Sequence, residues 1–378
     1  MQVGSRPGIA LLYGGFLFTG AMAVLLGAVL PRAAAMYRLH DVQSGTLLTI
    51  EFATSACGAL LVRRRFERTL KMGYALMAAG AVAVAVARGV VAAASIGAFG
   101  LGLGMAMTST SLVIGRVFPT SRGSALSTLN FCWSIGATVC PLAVARWSGT
   151  FSPTALCLPI AVLSAILVVL LQVTRLPASG EAHAPGPVMR GGVRPIIVRF
   201  AAIAFLYVGV EATVGGWIST YAMRVTVWKF AGGSLAAGCF WGALLAGRGL
   251  TPMMLRRMPE KTVEGLATLA ALLGVLLLIG THSRLLLVTA AVWAGLALAP
   301  IYPLTIALFI GRAGETRHAG WVFAMAGFGG AVVPWLTGMV SSGAHSLRIG
   351  LLVALGAALA MWMLTLRIPE EMPAPELR

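Results

Sequence analysis

Two carboxylates stand inside long apolar runs: Glu51 in TIEFATSACG and Glu211 in YVGVEATVGGW. The chain has 11 acidic residues, and the others (Asp41, Glu67, Glu181, Glu260, Glu264, Glu315, Glu370, Glu371 and Glu376) map to loops, run ends or tails. A charged side chain at the centre of a bilayer costs about 2.5–3.5 kcal/mol on insertion scales. Protonation, an ion pair or a wet cavity removes that cost. An acid kept under such conditions can load and release a proton, or accept hydrogen bonds from a polar ligand.

The neighbours at helical spacing sharpen this reading. Around Glu51 the stripe Ser44, Ser55 and Gly58 is small and polar, with Gln43, Thr46 and Thr49 toward one end. Glu211 lies one turn after Tyr207 and one turn before Gly215, and the pair Gly215-Gly216 could soften the helix or admit a close approach. Asn130 is followed by Trp133, Ser134 and Ala137. An amide offers two donors and two acceptor sites to paired hydroxyls, and an indole face can stack on a pyranose. Tyr207, Trp217, Trp241 and Tyr302 are further candidates for the lining of a cavity. Each residue also has a plainer reading. The acids and Asn130 could satisfy neighbouring helices, and Trp and Tyr commonly mark the membrane interface. The hydroxyls of TSTS (Thr108–Ser111) read as backbone-bonded, and GLGLG (Gly100–Gly104) as a small-residue helix contact. The five His lie in loops or at run ends, and the five Cys form no CxxC pair, so no metal site, cofactor or disulfide is expected.

The elements that must position these side chains follow from composition. The chain of 378 residues is 58% hydrophobic and only 10% charged, with mean hydropathy +0.90. Apolar runs near bilayer length recur throughout, without strand alternation. The expected fold is an all-α membrane protein of twelve transmembrane helices. The spans fall near 8–30, 43–63, 70–87, 92–116, 123–147, 154–175, 196–221, 231–254, 263–281, 284–310, 318–341 and 346–367. The first run is full length and reads as a span, not a signal peptide. The net charge of +17 sits mostly in loops on the side of both termini. It therefore signals topology, with termini cytoplasmic in a cell (inner) membrane, and not nucleic-acid binding.

LPASGEAHAPGPVMRGGVRP (176–195) has linker composition and divides the chain into 1–175 and 196–378. The two parts look related. FLFTG at Phe16 matches FLYVG at Phe205, GALLVR at Gly58 matches GALLAGR at Gly242, IGRVFPTSRG at Ile114 matches IGRAGETRHAG at Ile310, and GATVCP ending at Pro141 matches GGAVVP ending at Pro334. Four matches in one order at nearly constant offset indicate two six-helix pseudo-repeats. Met22 is then the counterpart of Glu211.

With these matches in place the chain resembles the major facilitator superfamily over nearly its whole length. GALLVRRRFER keeps the Gly and Arg cluster of that family's loop between spans 2 and 3, but has Val62 at the Asp position. YVGVEATVGGWISTYA, RGSALSTLNFCWSIGATVCPL, GWVFAMAGFGGAVVPWLTG and PIYPL resemble the fucose–galactose–glucose:proton symporter branch and its sodium-dependent glucose transporter relatives. The resemblance implies a monomeric secondary transporter, not an enzyme, that moves a monosaccharide with a coupling cation. The coupling residues would be Glu51 and Glu211, and the sugar site would draw on Asn130, Trp133, Glu211, Tyr207, Trp217, Trp241, Tyr302 and Gln43. H⁺ is the expected ion and Na⁺ the alternative. A proton-coupled exporter of amphipathic compounds keeps the same fold.

Overall fold

A computed structural model of the chain describes residues 6–62, 65–118, 122–146, 152–176, 193–226, 228–313 and 319–368. Fourteen helices follow in order: α1 (Arg6–Tyr37), α2 (Asp41–Leu61), α3 (Phe66–Val86), α4 (Gly89–Val117), α5 (Arg122–Arg146), α6 (Pro153–Val173), α7 (Val193–Thr226), α8 (Phe230–Leu255), α9 (Glu260–Ile279), α10 (Arg284–Leu298), α11 (Ile301–Ala313), α12 (Ala319–Ala344), α13 (Leu347–Gly350) and α14 (Leu352–Leu366). Among the described residues, twelve spans are long and apolar enough to cross a membrane, and they overlap the twelve expected runs. α10 and α11 together supply the tenth span and α13 and α14 the twelfth, while α12 is the eleventh. Helices suit this setting because each satisfies its own backbone hydrogen bonds where water is absent. No strand occurs among the described residues. The expected linker lies, but for its ends, outside the described residues, as do Arg63 and Arg64.

Helices α1 to α6 pack on one another, chiefly through α1–α5, α2–α4, α3–α4 and α3–α6. Helices α7 to α14 do the same through α7–α12, α8–α10, α9–α10 and α9–α14. The two groups meet where α2 crosses α12, α5 crosses α8 and α1 crosses α7. The fifth span of each half therefore lies on the second span of the other half, as a parallel repeat requires. One end of the assembly carries the α1–α2, α7–α8, α9–α10 and α12–α13 turns and is called the hairpin end below. The other end carries the first and last described residues. Peripheral helices turn apolar side chains outward, as with Leu163, Ile166, Val169 and Val173 on α6. Such a surface fits lipid, not water.

Close crossings explain two glycines. A Cβ on Gly20 of α1 would strike the backbone of Trp133 on α5, and one on Gly329 of α12 would strike the Phe205 carbonyl on α7. Both contacts are with main chain, which cannot swing aside. Gly14, also on α1, has open space around the same position. Gly20→Ala is therefore expected to lower the melting temperature of the detergent-purified protein, by an overpacking cost of about 1–3 kcal/mol. Gly14→Ala should leave it unchanged or slightly raised. Equal melting of the two variants would count against the α1–α5 crossing.

Candidate functional site

Glu211 is at the centre of a polar and aromatic cluster between the two groups of helices. It is 8% exposed, on α7. Its Oε1 accepts a hydrogen bond from Tyr207 Oη at 2.8 Å, one turn earlier on the same helix. The same oxygen faces Arg248 Nη2 of α8 at 3.4 Å. Arg248 Nη1 donates to Ser134 Oγ of α5 at 2.6 Å, so the guanidinium joins both halves of the chain. Ser134 is held in turn by donating to the Asn130 carbonyl at 2.9 Å.

Aromatic rings enclose this ionic core. Tyr302 of α11 stacks on Tyr207 with centroids 5.6 Å apart. Trp133 of α5 meets Trp241 of α8 edge to face at 5.8 Å, and Phe240 meets Trp241 at 5.0 Å. The Arg248 guanidinium carbon lies 5.6 Å from the Trp133 ring centroid, within the range of a cation–π contact. Gly215 makes room for this wall, since a Cβ there would strike the Trp241 ring. α7 runs unbroken through Gly215 and Gly216, so the pair serves close packing and not a break in the helix.

Six of the expected residues thus come together: Glu211, Tyr207, Tyr302, Trp133 and Trp241, with Asn130 one turn from Ser134. Asn130 Nδ2 donates to the Leu126 carbonyl at 2.9 Å, which commits one amide donor to its own helix. The others lie elsewhere. Trp217 is 1% exposed and donates its Nε1–H to the Pro334 carbonyl at 3.2 Å, fastening α7 to α12. Gln43 is exposed at the start of α2, where its Oε1 accepts from the His40 N–H at 2.9 Å and caps the helix. Glu51 is 3% exposed on α2, and its Oε2 has no hydrogen-bond partner. Gly100 of α4 packs against its backbone, and no hydrogen bond or ion pair among the described residues joins it to Glu211.

Two charged groups within the helix bundle, Arg248 and Glu264, were not expected from the sequence. Arg248 sits inside the eighth span, in GALLAGR. That motif pairs with a loop arginine in the first repeat, and the sequence alone assigns Arg248 no role of its own. Its signal was the presence of an arginine within an apolar run. Glu264 falls at the edge of its run in sequence. It is 0% exposed on α9 and accepts a hydrogen bond from Thr305 Oγ1 of α11 at 2.6 Å. No cluster of three or more His, Cys, Asp or Glu suited to a metal occurs among the described residues.

The hairpin end has its own link between the halves. Arg224 of α7 grips Asp41 of α2 with both terminal nitrogens, at 2.5 and 2.6 Å. Ser341 Oγ of α12 donates to the same carboxylate, and the Val42 N–H donates to Ser342 Oγ at 2.9 Å.

The central pair should dominate stability. Arg248→Ala would leave Glu211 buried with one hydroxyl for company, a loss of about 3–5 kcal/mol for a broken buried pair. Ser134→Ala removes one hydrogen bond and should cost on the order of 1 kcal/mol. Thermal unfolding of the purified variants measures both, and equal losses would argue against Arg248 as the ionic centre.

No family model and no curated protein sequence matches this chain. Solved structures do match. A bacterial homologue of the human lysosomal transporter Spinster, inward-facing and occupied, superposes with TM-score 0.76 at 15% identity, over 98% of this chain and 100% of that one. FucP, a major facilitator superfamily transporter in the outward conformation, gives 0.66 at 17% identity, over 96% and 99%. A variant of the E. coli fucose:proton symporter FucP gives 0.61 at 15%, over 96% and 98%. The chain has the fold of the major facilitator superfamily transporters.

Proposed function

We propose that this chain is a secondary active transporter of the fucose–galactose–glucose:proton symporter type, moving a monosaccharide together with a proton. The observation that carries the reading is the central cluster. Both halves of the chain contribute to it, through Ser134 and Trp133 on one side and Glu211, Arg248, Tyr207, Trp241 and Tyr302 on the other. A pyranose has two apolar faces and a rim of hydroxyls. Indole and phenol rings suit the faces, and a carboxylate, a guanidinium and an amide suit the rim. A site shared between two bundles also changes shape when the bundles rock, which links binding to access.

The proton has two candidate carriers. Glu211 is paired with Arg248, and its protonation would release that pair. Glu51 has a buried oxygen without a partner. An ionised carboxylate so placed opposes closure around it, and a neutral one does not. The Lys and Arg distribution puts the termini in the cytoplasm and the hairpin end outside. The Asp41–Arg224 link would then act as a gate at the outer end.

In proteoliposomes, an inward proton gradient is expected to drive labelled hexose accumulation, while a sodium gradient at constant pH is not. Glu51→Gln and Glu211→Gln should each reduce gradient-driven accumulation on the order of tenfold, the usual scale of a coupling free energy. Accumulation that ignores pH, or survives in both variants, removes these carboxylates from the mechanism. For the outer link, Asp41→Asn replaces a half-exposed ion pair worth on the order of 1 kcal/mol, an about fivefold shift in population toward the outward-open form. Faster thiol labelling of a cysteine placed at Ser342 would report that shift, and an unchanged rate would count against the link as a gate.

A further inference from the structure

Arg248 has more donors than its surroundings satisfy. A guanidinium carries five N–H donors and no acceptor. Nη1 is well bonded to Ser134 at 2.6 Å, Nη2 reaches Glu211 only at 3.4 Å, and the buried Nε has no hydrogen-bond partner. The adjacent Trp133 repeats the pattern. Its ring lies beside the guanidinium, and its buried Nε1, a donor that cannot accept, has no partner either. Buried polar groups in native proteins are rarely left open, and those that are call for an explanation. Here the two open groups are donors in one cluster, so the complement is a pair of acceptor oxygens.

The chemistry of Arg248 narrows the choice. The Nε–Nη edge of a guanidinium matches a planar carboxylate bidentately, and hydrogen bonds to an ionised acceptor are roughly twice as strong as neutral ones. Hydroxyls would each spend a donor proton where the site offers donors already. We propose that the sugar taken by this site bears a carboxylate, as a hexuronate does, and that Arg248 and Trp133 bind that group while the rings of Trp241, Tyr207 and Tyr302 hold the carbon skeleton. The proposal rests on the sugar-transport reading above and specifies its substrate class.

Charge balance supports it. Glu211 and Arg248 as a pair are neutral. An incoming anion that takes Arg248 leaves Glu211 without its counter-ion, facing only the Tyr207 and Tyr302 phenols. A proton on a Glu211 oxygen removes that charge. Anion and proton then cross together with no net charge moved, whereas a neutral sugar with one proton carries one positive charge.

The test compares galactose with galacturonate, on the full-length protein in detergent and in proteoliposomes. Galacturonate is expected to bind about tenfold more tightly than galactose by thermal shift, the difference between a charged and a neutral hydrogen-bonded acceptor. Glu211→Gln should retain that preference. Arg248→Lys, which keeps the charge and lacks the fork, should lose most of it. Galacturonate uptake driven by a pH gradient should be indifferent to an imposed membrane potential. Galactose binding as tight as galacturonate, or tighter, overturns the carboxylate inference and leaves sugar transport standing. Binding of neither overturns both. Should Arg248→Lys fail to fold, the wild-type preference and its persistence in Glu211→Gln still decide.

Discussion

A guanidinium and a carboxylate withdrawn from water between two groups of helices each carry a desolvation penalty of several kcal/mol, and neither is stable there without an opposite charge. Arg248 and Glu211 meet that requirement only partly. At 3.4 Å their contact is single-pointed, and the guanidinium lies closer to Ser134 across the interface, at 2.6 Å. Much of the surrounding packing makes sense as accommodation of this pair. Gly215 admits the Trp241 ring, Trp241 supports Trp133, and Tyr302 backs the phenol that holds Glu211 in place. A stronger pair would be a better structural fastener, but in the proposed transporter it would be a worse switch, because a ligand or proton would have to compete with it.

The repeat places two comparable crossings in the molecule, and they have taken different work. At α5–α8 the contacts are ionic and aromatic, centred on Arg248. At α2–α12 they are bonds to carbonyls and hydroxyls: Thr49 Oγ1 to the Ala331 carbonyl at 2.8 Å, Trp217 bridging from α7 to the Pro334 carbonyl, and Val42 N–H to Ser342. Such bonds fix the height of one helix against another without calling on charge. The asymmetry is written in the chain, since Glu211 on the first span of the second half corresponds to Met22 in the first half. A duplicated scaffold has thus taken its charged group on one copy only at this position.

The fold was legible because its cause is simple. Length and hydropathy set the spans, and the loop charges set their alternation, so all twelve emerged from the sequence alone. The acids were legible for the related reason that an acid in an apolar run has few innocent explanations. Arg248 escaped because basic residues are plentiful at helix ends, and its motif matched a loop arginine in the other repeat. Glu264 escaped because a span edge is uncertain by about a turn, and one turn separates a wet carboxylate from a buried one. Tryptophan was the least decisive residue type. Trp133 and Trp241 wall the cluster, while Trp217, equally apolar in its context, fastens two helices. Only the position of a partner carbonyl distinguishes these roles, and that is a tertiary fact.

The two intramembrane carboxylates differ in a way that bears on which ion is coupled. Glu211 has a hydroxyl and a guanidinium beside it. Glu51 has a buried oxygen with no partner, and the hydroxyl of Thr54 on the next turn of its helix is engaged with the Ile50 and Glu51 carbonyls. A metal ion there would need several oxygens facing one point, and Thr54 has its oxygen turned to backbone. A proton needs only the carboxylate itself, and it removes the cost of the buried charge without any further ligand. On the proposed transport reading, the unpartnered Glu51 oxygen would suit H⁺ better than Na⁺. The same reading would divide the labour, with Glu51 as a plain protonation site and Glu211 as the acid linked to Arg248.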